Sequence, residues 1–208
     1  MAELLKIHPE NPQPRLLNRV VEVLQAGGVI VYPTDTVYAF GCDLHQPKAL
    51  DRVARLKGLK KEKADFSIIF CDLSHLADYT RQVDTPIYKM LKKALPGPYT
   101  FILTANNTVP KLFKNKKRTI GIRIPDNHIP RTLAEQLGHP LIASSVHDED
   151  EILEYTTDPE LILEKYGHAV DLVIDGGMGE LQASTVVDAT GEAPQLIRQG
   201  KGAIDWLP

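Results

Sequence analysis

A mixed α/β domain is the fold class this sequence predicts, and three observations carry that expectation. Along most of the chain, strand-length apolar runs alternate with segments whose apolar residues recur every three to four positions. Near the end, three strand-like runs at 169–174, 185–188 and 195–198 are closely spaced. Alternating units followed by bunched strands predict a mixed sheet, not a purely parallel one. The chain has 208 residues and 43% hydrophobic content, enough for one good core. With no repeat, low-complexity segment or linker, residues 1–208 are expected to form a single domain.

The first helix is expected at 12–26, because Leu16, Leu17, Val20, Val21 and Leu24 share one helical face. Asn11 is its candidate cap and Gly27 its stop. Val29, Ile30, Val31 and Tyr32 are β-branched or aromatic and read as an interior strand, which Pro33 ends by removing a backbone donor. A second helix is expected at 47–57 on Leu50, Val53 and Ala54, then a Lys-rich loop and a strand at 66–71. A helix starting at Pro86, a rigid Pro96-Gly97-Pro98 turn and a strand at 99–103 come next. Beyond a basic loop at 111–118, a strand at 119–124, a helix at 129–137, a strand at 141–145 and a helix at 159–166 restore the alternation.

Composition removes several classes of function. The apolar runs are too short to span a membrane and the first ten residues lack the regions of a signal peptide, so a soluble, cytoplasmic protein is expected. Cys42 and Cys71 are the two cysteines, too few for a disulfide framework or a four-ligand zinc site, and packing is their expected role. A net charge of −3 argues against a uniformly basic nucleic-acid protein. No nucleophile elbow, Walker loop or GxGxxG is present.

The residues that could carry chemistry each admit two readings. Thr34, Asp35, Thr36 and Tyr38 crowd hydroxyls and a carboxylate at the carboxyl end of a strand, where open α/β sheets bind ligands; an ordinary polar turn has the same composition. Arg123 lies inside the apolar strand IGIRIP, so its guanidinium must meet an anion, either a ligand or a neighbouring acidic residue. Ser184 and Thr185 precede an apolar run, as either a ligand-facing pair or a strand-entry turn. Thr100, in PGPYT, is equally divided. Lys57 at a helix end fits the helix dipole without any further role. Lys60, Lys61 and Lys63, with Lys114, Lys116, Lys117 and Arg118, form two basic stretches that border either a nucleic-acid surface or solvent. His147 precedes the acidic run 148–151, a His-carboxylate cluster that could ligate a divalent ion but reads first as a solvated loop, so no protein-held metal is expected.

Four blocks in order resemble one known family. The segment YPTDTVYAFG, from Tyr32, is similar to the Y-P-T-E-T-V-Y-G-L-G signature of the YrdC-like family. PGPYTFIL resembles its P-G-P-x-T block, TIGIRIP its V-x-V-R-x-P block, and DLVIDGG with STVVD and LIRQG its closing run. The opening IHPENPQPRLLN is similar to the YciO branch of that family.

That resemblance implies a twisted open α/β sheet with a large concave cleft. It also implies formation or handling of threonylcarbamoyl adenylate from L-threonine, bicarbonate and ATP, linked to tRNA modification. In that chemistry a carbamate oxygen attacks the α-phosphorus and pyrophosphate leaves, so positioning and charge neutralisation replace a protein nucleophile. ATP enters as substrate with Mg²⁺ held largely by phosphates and water, and no tightly bound cofactor is expected. Carried over by motif, Lys57 and Thr34 are the catalytic candidates. Thr36, Tyr38, Thr100, Arg123, Ser145, His147, Ser184, Thr185 and Arg198 are the candidates for substrate and nucleotide contact. Two positions depart from the pattern: Leu59 stands where K-x-R has its Arg, and His147 where S-x-N has its Asn. Leucine offers no bidentate fork to a phosphate. The alternatives are therefore an adenylate-hydrolysing paralogue, or a double-stranded RNA or tRNA-binding module using the two basic stretches.

Overall fold

The computed structural model describes residues 1–58, 66–109, 118–146 and 156–205. Among them, ten strands form one mixed sheet. In chain order the elements are β1 (Glu3–Lys6), α1 (Pro14–Gln25), β2 (Val29–Tyr32), β3 (Ala39–Cys42), α2 (Pro47–Leu56), β4 (Ser67–Ile69), a 3-10 turn (Leu76–Asp78), α3 (Thr85–Ala94), β5 (Tyr99–Thr104), β6 (Thr119–Arg123), α4 (His128–Leu137), β7 (Leu141–Ser145), α5 (Pro159–Tyr166), β8 (Leu172–Asp175), β9 (Thr185–Asp188) and β10 (Gln195–Arg198).

The spatial order is β1-β8-β2-β3-β7-β4-β6-β5-β9-β10. β8 runs parallel to both β1 and β2, β4 to β6 and β5 to β9; the other neighbours are antiparallel. The expected α/β class with a mixed sheet is therefore present, enlarged by β1 and β3, which the sequence reading did not anticipate.

Local chemistry explains most boundaries. Proline occupies the first turn of α1, α2, α3 and α5, where its missing N–H costs nothing. The expected cap at Asn11 is corrected: Gln13 caps α1 with no side-chain bond, while Asn11 N–H donates to His8 Nδ1. Gly27 does end α1, at φ 84°, where a side chain would be strained. True side-chain caps stand at Asn127 for α4 and Asp158 for α5.

Pairing register fixes which residues share a face. On one face Leu17, Val20, Val21 and Leu24 of α1 and Ile129 and Leu133 of α4 pack on Ile30, Tyr32, Ala39, Leu141, Ala143, Leu172 and Ile174. Each fully buried aliphatic side chain there contributes roughly 1.5–3 kcal/mol. On the opposite face α2, α3 and α5 contribute Leu50, Val53, Leu91 and Ile162 to a second cluster with Val31, Phe40, Phe101, Ile122, Val173 and Val187.

The first face changes character beyond β4. In β5, Tyr99, Phe101 and Leu103 are buried while Thr100, Ile102 and Thr104 are half-exposed. β9 repeats this with Thr185 and Val187 against Val186 and Asp188, and β10 is exposed throughout. Following the pairs Ser67–Gly121, Gly121–Ile102 and Ile102–Asp188 across the strands, the half-exposed residues all lie on the face that α1 and α4 cover elsewhere. That half of the face is left bare among the described residues.

Candidate functional site

The site is built where the covered half of the face gives way to the bare half. Pro33 ends β2 and the chain turns through Thr34, Asp35 and Thr36 before entering β3. Thr34 Oγ1 donates to Val37 O at 2.8 Å and accepts from Thr36 N–H at 3.0 Å. With its single proton spent on Val37, the 3.0 Å contact between the two threonine hydroxyls is donated by Thr36. Thr36 in turn accepts from Arg123 Nη2 at 3.0 Å. The Thr34 hydroxyl thus closes a buried turn and has no proton left for a ligand.

Arg123 closes β6 and is 4% exposed. Its Nη2 also donates to Asp35 Oδ1 at 2.8 Å, and Asp35 Oδ2 accepts from Asp126 N–H at 3.0 Å, tying the turn to the approach of α4. The neighbouring carboxylate that the sequence allowed for Arg123 is that of Asp35. The Arg123 Nε–H is buried without a partner, an arrangement that costs about 1–3 kcal/mol or more for a charged group. Burial lowers the Arg123 pKa, and the Asp35 carboxylate opposes that shift.

Register sets a second cation on the same row. Arg123 pairs with Ile69; continuing the β5–β6 register by one position brings Thr100 beside it, and Thr100 then pairs with Val186 and Val186 with Arg198. Three strand spacings separate the two arginines, roughly 14 Å. Between them Thr100 Oγ1 meets Ser184 Oγ at 2.8 Å, while Arg198 Nη2 donates to Ser184 O at 2.9 Å. Gly121 lies in the floor of this face, where an added Cβ would stand 3.1 Å from Thr100 Cγ2 and 3.2 Å from Ser67 Cβ. The floor is flat because nothing projects there.

The other predicted residues fall around this row. Lys57, at the end of α2, donates from Nζ to Ser145 O at 2.8 Å, and burial lowers its pKa. Thr185 is fully buried; its hydroxyl donates to Gly202 O at 2.7 Å and accepts from Gly200 N–H at 3.0 Å, so it pins the segment that follows β10. Tyr38 Oη donates to Gly177 O at 2.6 Å and accepts from Gly176 N–H at 3.2 Å, with its pKa raised chiefly by burial. Arg118 is exposed at φ 52° at the entrance to β6. Leu59, Lys60, Lys61, Lys63, Lys114, Lys116, Lys117 and His147 lie outside the described residues.

Sequence reasoning passed over Lys201 and Glu180. Lys201 Nζ donates to Asp35 O at 2.9 Å and to Glu180 Oε1 at 3.0 Å, and Glu180 N–H donates to Thr36 O at 3.2 Å. A lysine between two glycines, Gly200-Lys201-Gly202, was the available signal. Among the described residues no group of three or more His, Cys, Asp or Glu side chains could hold a metal ion, and no helix is long and apolar enough to cross a membrane.

The profile of the Sua5–YciO–YrdC family, whose description is telomere recombination, matches residues 22–200. An uncharacterised protein of Haemophilus influenzae is 45% identical over 206 residues, 98% of each chain. YciO of Escherichia coli is 40% identical over 206 residues, and its crystal structure superposes with a TM-score of 0.92 over 100% of both chains at 38% identity. A Coxiella burnetii protein named threonylcarbamoyl-AMP synthase is 31% identical over 184 residues, 86% of this chain and 96% of its own. P. abyssi Sua5 in complex with L-threonine shares the fold, with a TM-score of 0.86 at 23% identity over 96% of this chain and 58% of that one.

Proposed function

This chain belongs to the Sua5–YciO–YrdC family, where it groups with the YciO proteins, and from that membership we propose that it binds an adenine nucleotide on the bare face and forms or handles threonylcarbamoyl adenylate. The observation that carries the reading is the row formed by Arg123, Thr100 and Arg198. Two guanidiniums on one face, with the Thr100–Ser184 hydroxyl pair between them, suit an anionic ligand that needs both charge and orientation.

The chemistry asks for no more than this chain offers. Attack of a carbamate oxygen on the α-phosphorus uses no protein nucleophile, in keeping with the Thr34 hydroxyl being fully used inside its turn. Arg198 neutralises phosphate, Arg123, held by Asp35, adds positive potential at the other end of the row, and Thr100 and Ser184 orient the ligand. Lys57, with its pKa lowered by burial, holds a cation beside the end of β7. Any Mg²⁺ would be carried by phosphate and water. Leu59 removes the cation that the family pattern sets against a triphosphate, which favours an adenylate with one phosphate over ATP.

The test incubates the protein with ATP, Mg²⁺, bicarbonate and L-threonine, follows threonylcarbamoyl adenylate by mass spectrometry and pyrophosphate in parallel, and titrates AMP separately. AMP is expected to bind, with Arg198→Ala weakening it at least about tenfold, the equivalent of ~1.4 kcal/mol. Product that needs all three substrates assigns synthesis; bound AMP without product assigns handling of a finished adenylate. Neither product nor AMP binding overturns the reading. A double-stranded RNA or tRNA role would show instead as binding that weakens steeply with salt and is lost when Lys114, Lys116, Lys117 and Arg118 become Glu.

A further inference from the structure

The segment that follows β10 is held more firmly than its exposure requires, and its lysine reaches back to the candidate site. Thr185 Oγ1 donates to Gly202 O and accepts from Gly200 N–H, Gln199 Nε2 donates to the carbonyls of Gly200 and Gly202, and Tyr99 Oη donates to Ala203 O. Lys201 N–H donates to Ala183 O at 2.9 Å. An added Cβ would collide with Ala183 O at Gly200 and with the Tyr99 ring at Gly202, so the backbone on either side of Lys201 is clamped. A loop fixed in this way presents one side chain at a defined place.

That side chain follows the arginine row. Its backbone is anchored beside Ser184, whose hydroxyl meets Thr100 in the middle of the row, and its Nζ ends on Asp35 O at 2.9 Å, at the Arg123 end. Of the three ammonium protons, one goes to Asp35 O and one to Glu180 Oε1 at 3.0 Å; the third has no acceptor among the described residues. The Lys201 and Glu180 side chains are 37% and 55% exposed, so exchanging this carboxylate for another anion costs little.

Charge counting identifies that anion. A phosphate monoester carries about −1.5 to −2 near neutral pH. Arg198 donates to a neutral carbonyl, Ser184 O, which leaves its charge for a ligand. Arg123 is buried and paired with Asp35 at 2.8 Å, so much of its charge is already answered. Lys57 comes from α2, which packs on the opposite face, and is held by Ser145 O. Leu59 brings no charge. Resting on the adenine-nucleotide reading above, we propose that Lys201 is a ligand-contacting residue of that site, which leaves Glu180 and donates to the phosphate. Lys201 and Arg198 together answer the two phosphate charges, and Glu180 holds the ammonium in place until the phosphate competes it away.

The test titrates AMP and its methyl ester, which carries one charge fewer, calorimetrically into the full chain at about pH 8, where AMP is a dianion. The unaltered protein should prefer AMP over the ester by about fivefold or more, the lower end of what a charge-assisted hydrogen bond gives. Lys201→Met should erase the preference by weakening AMP far more than the ester, and Lys201→Arg should retain it. Glu180→Gln should tighten AMP about two- to threefold by removing the competing carboxylate. A purely structural clasp predicts otherwise, since losing either partner would then weaken AMP and the ester alike. AMP binding without preference over the ester, a Lys201→Met variant that keeps the preference or loses both ligands equally, or a Glu180→Gln variant that weakens AMP as Lys201→Met does would overturn this inference and leave the nucleotide site standing. No AMP binding by the unaltered protein would overturn both.

Discussion

One face of the sheet does two different things at its two ends. Over β8, β2, β3 and β7 it carries Ile30, Tyr32, Ala39, Leu141, Ala143, Leu172 and Ile174, all buried under α1 and α4. Over β6, β5 and β9 the same face carries Gly121, Thr100, Ile102, Thr104, Val186 and Asp188, all half-exposed. Strand geometry does not distinguish the ends, because side chains alternate in both. Helix cover distinguishes them, and with it the residue types that are tolerated. The covered end gains stability from apolar burial, whereas the bare end gives up that gain and can present hydroxyls and guanidiniums to a ligand. Asp35 and Arg123 stand at the join, with side chains 8% and 5% exposed.

Breaking the join should have the largest effect. Asp35→Ala leaves a buried guanidinium without its carboxylate and should cost about 3–5 kcal/mol in urea unfolding. Adding Arg123→Met should recover part of that loss, since the orphaned charge leaves with it; no recovery would mean that the Asp35 bond to Asp126 N–H matters more than the ion pair. The next test compares like with like across the join. Ile30→Ala under α1 should cost about 2–5 kcal/mol, while Ile102→Ala on the bare end of the same face should stay below ~1 kcal/mol. Equal losses would mean that the bare end is covered by part of the chain after all.

How far these differences were legible in the sequence depends on range. Val29–Tyr32, Leu141–Ser145, Pro159–Tyr166, Thr185–Asp188 and Gln195–Arg198 follow the expected boundaries, because apolar runs with clear turn signals define them locally. β3 escaped because Gly41 in AFGC reads as a loop residue. Its purpose appears only in three dimensions, where the Tyr32 ring fills the space a Cβ would need. β1 escaped because a four-residue edge strand with one buried side chain, Leu5, shows no alternation.

The candidate site divides the same way. Arg123 inside IGIRIP announced a need for an anion, but its partner Asp35 is 88 residues away, and only the pairing of strands identifies it. The row joining Arg123, Thr100 and Arg198 depends on strand order and register, and neither is written in any local pattern. Lys57 was readable as a motif residue, yet its contact with the Ser145 carbonyl needs α2 and β7 to meet.

The smallest effects test what holds the turn at the join. The segment after β8 lies against it through two kinds of contact. Gly179 packs on Tyr38, where an added Cβ would stand 2.7 Å from the ring, and Tyr38 Oη bonds Gly177 O and Gly176 N–H. Lys201 instead reaches Glu180 and the Asp35 carbonyl from positions 37% and 55% exposed for the two ionic side chains. Packing of this kind responds to overfilling by about 1–3 kcal/mol, whereas exposed ion pairs are worth ~0–1 kcal/mol after solvent screening. Gly179→Ala should therefore lower the urea midpoint more than Lys201→Ala, and high salt should narrow the small Lys201 effect while leaving the Gly179 effect unchanged. The opposite order would make the clasp electrostatic, and the join would then loosen with ionic strength, taking the orientation of Arg123 toward the bare face with it.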